Sequence, residues 1–242
     1  MPFVYHSPMQ KRSALFLMLL LVAISCATAV TIPENECGLE IVDSYELYQE
    51  IVAGSPEHRL VDLRRAIPGA ELDIRYATSD NFMKRVLYPV EGAWLRQPAA
   101  EALARVQREL AEKGVGIKIF DGYRPYAVTK MMWEPYKDPN YVADPARGSR
   151  HNRGAAVDLT LIDLQTGKEL EMPTGYDDFT PRAHHDFTDL PRNVIENRAL
   201  LRSVMERHGF QALASEWWHY DFEGWEQFAL MDIGLDELAA RR

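Results

Sequence analysis

The sequence lacks the clustered basic residues that a nucleic-acid partner requires. It has 27 Lys and Arg against 36 Asp and Glu, a formal net charge of −9 at pH 7. Because phosphate binding needs Lys and Arg concentrated on one surface, this balance argues against DNA or RNA as a partner. Internal repeats and low-complexity segments are also missing. With 47% apolar and 26% charged residues in a chain of 242, the composition is typical of one folded domain.

Long hydrophobic runs are equally scarce. Residues 14–24 form an apolar run of about 11 residues, well short of the ~20 that a membrane-spanning helix needs. A basic pair at residues 11–12 precedes this run, and a small-residue Ala-Thr-Ala sequence at residues 27–29 follows it, which is the order found in secretory signal peptides. We therefore expect residues 1–29 to be a signal peptide and residues 30–242 to be an exported domain, in the periplasm or cell envelope, without a transmembrane span.

Cysteine is nearly absent, with only Cys26 and Cys37 in the chain. The sequence Ala-Ile-Ser-Cys that ends at Cys26 loosely resembles a bacterial lipoprotein box. A lipoprotein signal ending before Cys26, with lipid attached to that residue, is therefore the alternative to ordinary signal cleavage. In both cases Cys37 has no partner within the exported domain, so we expect no intrachain disulfide even in an oxidising compartment.

Apolar periodicity predicts alternating helices and strands after residue 58. Residues 164–192 form a long irregular connection, and connections of that length are usually functional or mobile. Strand-like alternation flanks a Pro-Gly turn within residues 59–78. Period-3.6 patterns with stop signals predict helices at residues 98–113, 127–136 and 193–208, and alternation predicts strands at residues 115–120, 155–163 and 216–222. This mixture predicts an α+β domain.

Three residues in two of these strands and the loop before one of them can form a metal site. His151 and Asp158 lie seven residues apart, joined by a turn that runs into a predicted strand. Hydrolytic zinc is commonly held by three protein ligands, often His and carboxylate, with the fourth position open. His219, in another predicted strand, is the candidate third ligand. Two neighbouring strands can place Asp158 and His219 side by side on one sheet face, while the preceding loop folds His151 over them.

Two further residues suit hydrolysis at such a site. Glu216, three residues before His219, can act as general base and later as general acid, and Arg124 can stabilise an oxyanion on the attacked carbonyl. Glu216 and His219 have opposite parity in a regular strand, so both can face a metal only if a turn or bulge lies near Glu216 or Trp217. Gly154 permits the tight turn that returns the preceding loop to the strand.

Each of these residues also has an ordinary structural interpretation. A histidine on a strand is more often a core or surface residue than a ligand, and Asp158 can cap a turn. Glu216 can be a solvated charge, and Arg124, beside an aspartate, can form a simple surface ion pair. Spacing alone therefore leaves a metal hydrolase and an α+β domain without catalytic chemistry about equally supported.

Four motifs, taken together in order, resemble the VanX-type D-alanyl-D-alanine dipeptidases. These are zinc peptidases related to D-Ala-D-Ala carboxypeptidases and, more remotely, to the hedgehog signalling domain. The resemblance spans about residues 58–222 and implies a single α+β domain with a central, mainly antiparallel sheet flanked by helices. The motifs are RYATSDNF at 75–82, DGYRP at 121–125, SRHNRGAAVDLTL at 149–161 and EWWHYDF at 216–222.

The resemblance also implies roles for particular residues. It implies one Zn²⁺ per chain, bound by His151, Asp158 and His219, with Glu216 as catalytic base and Arg124 stabilising the tetrahedral intermediate. It further implies a small closed pocket that recognises the ammonium group of the substrate. By position, Asp177, Ser149 and Tyr76 line that pocket, with Asp178 as the alternative to Asp177.

The implied reaction is hydrolysis of D-alanyl-D-alanine to two D-alanines, linked to peptidoglycan metabolism. A pocket carboxylate paired with a free ammonium would stay unpaired with a longer peptide, which favours a dipeptide substrate. The alternatives are a D,D-carboxypeptidase or L-Ala-D-Glu endopeptidase acting on peptidoglycan stems, and a non-catalytic, zinc-stabilised binding module. Export favours D-alanine recycling over glycopeptide resistance, since the latter removes the dipeptide in the cytoplasm. The sequence does not predict the oligomeric state.

Overall fold

The computed structural model describes residues 1–4, 30–139 and 141–241. Nearly all of the expected signal peptide, including Cys26, lies outside these residues, so signal cleavage and lipidation remain predictions. Within the described part of the chain, no helix is both long and apolar enough to cross a membrane. Cys37 is exposed and carries a free thiol.

The described residues form helices and short strands in alternation. The helices are α1 (Tyr45–Gly54), α2 (Leu63–Ala66), α3 (Gln97–Ala111), α4 (Tyr126–Tyr136), α5 (Arg192–Arg207) and α6 (Leu235–Ala240). The strands are β1 (Ile41–Val42), β2 (Leu60–Asp62), β3 (Glu71–Leu72), β4 (Trp94–Arg96), β5 (Val115–Asp121), β6 (Ala156–Asp163), β7 (Phe210–Ala212), β8 (His219–Phe222) and β9 (Leu230–Met231).

A five-stranded sheet with the order β3-β5-β6-β8-β7 forms the centre of the domain. Its strands pair antiparallel except for β3 and β5, which are parallel. Helices α3 and α5 contact each other and pack on the sheet, α3 against β5 and α5 against β6 and β7. The predicted α+β fold with a mainly antiparallel sheet flanked by helices is therefore confirmed.

Alternation along β5 and β6 separates the core from the site. Leu159 and Leu161 of β6 pair with Ile119 and Ile117 of β5, and all four side chains are fully buried. Asp158 lies on the other face of β6, because successive side chains of a strand point to opposite faces. The same strand thus supplies apolar surface to the core and a carboxylate to the opposite face.

A β-bulge near the end of β5 sets the register beside the site. Ile119 pairs with Leu159, but the register then shifts, and Asp121 instead of Phe120 lies opposite Asp158. On the other side of β6, Asp158 pairs with His219 of β8. The bulge therefore brings Asp121, Asp158 and His219 into one row across three strands.

Two small sheets complete the fold of the described residues. β1 pairs with β9, and β2 pairs with β4.

Two of the strand predictions need correction. The chain before the Pro-Gly turn forms helix α2 where strand-like alternation was expected, because the Asp62 side chain accepts a hydrogen bond from the Arg64 N–H (3.0 Å) and caps a helical turn. The last strand of the predicted set begins at His219, not at Glu216, because residues 214–218 form turns.

Candidate active site and metal centre

Three buried donor atoms meet at the centre of the sheet. Nδ1 of His219 lies 2.9 Å from Oδ1 of Asp158 and 3.2 Å from Nε2 of His151. The third distance, from Nε2 of His151 to Oδ1 of Asp158, is 3.4 Å. The exposed fractions are 3% for His151, 3% for Asp158 and 8% for His219. The structure thus brings together all three predicted ligands.

The dimensions of this cluster suit one metal ion. A tetrahedral ion with bonds of about 2.0–2.1 Å keeps its ligand atoms about 3.3 Å apart, close to the three distances observed. The cluster of His151, Asp158 and His219 is a group that can hold a metal ion. Two imidazoles and one carboxylate leave room for a further ligand, as in catalytic sites.

The outer nitrogen of each imidazole is fixed by an acceptor, which directs the inner nitrogen to the metal position. Nδ1 of His151 lies 2.7 Å from the Gly122 carbonyl oxygen. Because a carbonyl can only accept, Nδ1 carries the proton and Nε2 offers its lone pair. Nε2 of His219 lies 2.9 Å from Oδ1 of Asp221, so the same reasoning leaves Nδ1 of His219 as the donor atom.

The loop before β6 places His151. Residues His151–Arg153 form a 3₁₀ turn that ends at Gly154, whose φ of +67° lies in the left-handed region. A glycine adopts this conformation without the steric cost that a Cβ would add. The backbone N–H of Arg124 also donates to the His151 carbonyl (3.1 Å), which ties this loop to the end of β5.

Glu216 lies between two turns directly before β8. The sequence required such a break, because Glu216 and His219 would point to opposite faces of a regular strand. Oε2 of Glu216 is 4.0 Å from Nδ1 of His219, so the carboxylate is next to the cluster without being one of its three donors. Burial raises the pKa of Glu216 above its usual value, and the nearby Asp158 carboxylate raises it further. The site thus contains a second carboxylate that can exchange a proton near the metal position.

Arg124 forms a buried ion pair, not the surface pair that its neighbourhood in sequence also allowed. Its Nε and Nη2 atoms donate to Oδ2 of Asp121 at 3.0 and 2.7 Å. Burial lowers the pKa of Arg124, but the Asp121 carboxylate and the neighbouring tyrosines together outweigh this effect, and the net shift is upward. The guanidinium also lies over the Tyr76 ring, 5.2 Å from its centroid. Arg124 is therefore a fixed positive charge.

One cavity of about 460 Å³ contains every residue predicted for the site. Besides the three metal donors, Glu216 and Arg124, its wall includes Phe179 of the connection at residues 164–192 and the aromatic side chains of Phe82, Tyr141 and Trp218. The predicted substrate-binding residues Tyr76, Ser149 and Asp177 also line it. The structure therefore brings together residues separated by up to 143 positions (76 to 219) in the sequence.

Asp177, not Asp178, is the carboxylate of this cavity. Its Oδ1 accepts a hydrogen bond from the Tyr76 hydroxyl (3.0 Å), while its Oδ2 is buried with no hydrogen-bond partner among the described residues. Burial and the Asp158 carboxylate raise the pKa of Asp177 well above its usual value. Asp178 instead accepts from the Thr180 N–H (3.0 Å) in an exposed turn. Asp177 thus has an oxygen available for a cationic group.

Ser149 has a more local role in the structure than Asp177 and Tyr76 have. Its Oγ accepts a hydrogen bond from the His151 N–H (3.2 Å), and its own N–H donates to the Asn152 side chain (2.8 Å). Ser149 therefore supports the turn that carries His151 while its side chain borders the cavity.

Sequence reasoning missed three residues that orient the predicted ones. Tyr176 donates from its hydroxyl to Oδ2 of Asp158 (2.8 Å), Asp221 accepts from His219, and Asp121 holds Arg124. Asp221 follows the ligand His219 by two positions on a strand, so their shared face was a usable signal. The contact of Tyr176 depends on the path of an irregular loop, for which periodicity offers no signal.

A cavity that can hold a metal ion beside a buried carboxylate and a fixed arginine has the groups needed to cleave a peptide bond. Together with the α+β fold, it defines the class of protein as a metal-dependent hydrolase.

Comparison with known proteins identifies the family. The family model for D-Ala-D-Ala dipeptidases, Peptidase M15, matches residues 56–229. A D-alanyl-D-alanine dipeptidase of Escherichia coli (strain K12) is 37% identical over 162 residues, which cover 67% of this chain and 83% of that protein. One of Enterococcus faecium is 33% identical over 181 residues, covering 65% of this chain and 88% of that protein. The chain therefore belongs to the D-Ala-D-Ala dipeptidase family.

A similarity in structure was also found with the LD-carboxypeptidase LdcB. The alignment covers 81% of this chain and 85% of that chain, with a TM-score of 0.41 and 20% sequence identity.

Proposed function

We propose that the protein hydrolyses D-alanyl-D-alanine to two molecules of D-alanine with the help of one Zn²⁺ per chain. Family membership and the names of both relatives support this substrate. The observation that carries the proposal is that one cavity holds the His-Asp-His cluster together with the Asp177 carboxylate. The first can serve hydrolysis, and the second can recognise a free ammonium group.

His151, Asp158 and His219 would hold the zinc ion. Their two imidazole nitrogens and one carboxylate oxygen are donors that zinc commonly takes, and the distances between them fit its tetrahedral geometry. Zn²⁺ bound there would supply Lewis-acid chemistry, by lowering the pKa of a water molecule and polarising the scissile carbonyl.

Glu216 and Arg124 would perform the proton transfer and the charge stabilisation. Glu216 would accept the proton of the attacking water and then donate it to the leaving amine, because its carboxylate adjoins the cluster without belonging to it. Arg124 would stabilise negative charge on the attacked carbonyl. Its ion pair with Asp121 holds the guanidinium in one place, so little reorganisation is needed during the reaction.

Asp177 and Tyr76 would bind the substrate ammonium, and Ser149 would form part of the same wall. The connection at residues 164–192 supplies Asp177 to the cavity, which supports a closed amine end and hence a dipeptide substrate. A longer or N-acylated peptide would place a neutral amide near Asp177 and leave its carboxylate unpaired. This argument favours a dipeptidase over the related D,D-carboxypeptidases and L-Ala-D-Glu endopeptidases.

The wider role would be recycling of wall-derived D-alanine by an exported enzyme. This part of the proposal depends on the basic pair, apolar run and small-residue site within residues 1–29. A non-catalytic, zinc-stabilised binding module is less well supported, since a purely structural zinc site needs neither Glu216 nor the buried Arg124.

An assay of the purified protein on two substrates, with and without a chelator, tests the proposal. We expect hydrolysis of D-Ala-D-Ala that the chelator abolishes and added zinc restores, with little hydrolysis of N-acetyl-D-Ala-D-Ala. Equal cleavage of both substrates would favour a carboxypeptidase. No cleavage of either by zinc-loaded protein would contradict the proposed function.

A further inference from the structure

Arg150 is a positively charged side chain in the cavity wall to which neither the sequence nor the metal site gives a role. It lies between Ser149 and the ligand His151 in the chain, and its side chain is 48% exposed. The described residues that line the cavity include two arginines, Arg124 and Arg150, and no lysine. Since Arg124 is assigned to the attacked carbonyl, Arg150 is the other arginine of this lining and the one without a proposed role.

The contacts of Arg150 leave the end of its guanidinium available. The Arg150 guanidinium lies over the Trp225 ring at 4.7 Å from the centroid, and Nε lies 3.6 Å from Oδ2 of Asp221. Among the described residues, its two terminal amino groups form no hydrogen bond. Their planar fork matches the geometry of a carboxylate, which can accept two parallel N–H···O bonds.

Arg150 and Asp177 connect to different donors of the metal cluster. The hydroxyls of Tyr76 and Tyr176, 3.1 Å apart, lie between Asp177 and Asp158. Arg150 approaches the cluster from the side of His219, through Asp221. The cavity therefore has an acidic group beside one metal donor and a basic group beside another.

We propose that Arg150 binds the terminal carboxylate of the substrate, an inference that rests on the proposed function. In a dipeptide, the carboxylate follows the scissile carbonyl by one residue, at most about 3.6 Å of chain. The terminal carboxylate would therefore lie near the Asp158, Glu216 and Asp221 side chains, and a cation beside it would offset their repulsion. Arg150 supplies that charge at the edge of the site.

Titration calorimetry on zinc-loaded protein tests this assignment without turnover. We would compare binding of D-Ala-D-Ala and of D-alanyl-D-alaninamide, which lacks the carboxylate charge, to protein carrying Glu216→Gln. A charge-assisted hydrogen bond at a half-exposed site should favour the acid by about tenfold. Adding Arg150→Gln should bring the ratio of the two dissociation constants close to one, and Arg150→Lys should retain part of the preference.

Arg147→Ala is the matched control, because it removes a positive charge from the same exposed loop without touching the cavity. It should keep the original ratio, and zinc content measured for every variant separates loss of metal from loss of binding. An unchanged ratio after Arg150→Gln would overturn the assignment even if the enzyme hydrolyses the dipeptide. The preference could disappear with Arg150→Gln while the protein with Glu216 intact fails to hydrolyse the dipeptide. That result would refute only the proposed hydrolysis. Absence of binding by both ligands would overturn both.

Discussion

The hydroxyl group of Tyr176 should control how tightly the protein binds zinc. It donates to Oδ2 of Asp158 at 2.8 Å, which turns Oδ1 toward the two histidines. Tyr176→Phe removes this bond and the 3.1 Å contact with the Tyr76 hydroxyl, but it keeps the stacking of the ring on Phe120, whose centroid is 4.6 Å away. A hydrogen bond to a charged group contributes about 1.5–3 kcal/mol, which corresponds to a factor of about 10–150 in an equilibrium constant.

Part of that contribution is common to the zinc-free and zinc-bound protein, since the bond can form in both. We therefore expect the lower end of the range, an increase of about tenfold in the zinc dissociation constant, in line with the usual effect of groups that orient metal ligands. Competition with a chromophoric chelator measures this constant directly. Tyr45→Phe, on helix α1 and outside the cavity, is the matched control. A dissociation constant within twofold of the original after Tyr176→Phe would refute the reasoning.

The remaining predictions concern the base, a ligand and the turn before β6. Glu216→Gln should lower kcat at least about a hundredfold while zinc content stays at one per chain, and an active variant would exclude Glu216 as the base. His151→Ala should lose zinc on dialysis, and full retention measured by mass spectrometry would contradict its role as a ligand. Gly154→Ala should lower the free energy of unfolding in urea by at least about 1–2 kcal/mol, because φ is +67° there and the added Cβ would lie 2.8 Å from Cδ2 of Leu60. Gly54→Ala, with a negative φ and open space around its Cβ, should cause no such loss.

The long amphipathic helices and the central strands could be predicted from the sequence. Residues 98–113 and 193–208 were expected to be helical, and the structure has helices at Gln97–Ala111 and Arg192–Arg207. These segments place a clear apolar stripe on one face, so local pattern and tertiary packing agree. The bulge at the end of β5 was not predictable, because it depends on which residue of another strand lies opposite.

The three predicted metal ligands could be found from the sequence because of where they lie relative to the strands. His151, Asp158 and His219 lie in or directly before strands that pair with each other, so alternation along β6 and β8 was enough to suggest their meeting. Asp177 was found only through resemblance, since it lies in an irregular connection with a φ of +61°. Sequence patterns do not encode the path of such a segment, and the Tyr76 contact that distinguishes Asp177 from Asp178 requires coordinates.

Charges at both ends of the cavity explain how it could select a chain of two residues. Burial raises the pKa of Asp177, so an ionised, unpaired Asp177 is unfavourable and an ammonium partner offsets that cost. Extension of the substrate at its amino end would replace the ammonium by a neutral amide, and extension at its carboxyl end would remove the carboxylate that we propose Arg150 binds. Each extension would therefore remove one of the two proposed charge pairs between protein and substrate. Under both proposed assignments, a free dipeptide would satisfy both groups while its single peptide bond lies at the metal cluster, so charge would add to the length discrimination that a closed amine end provides.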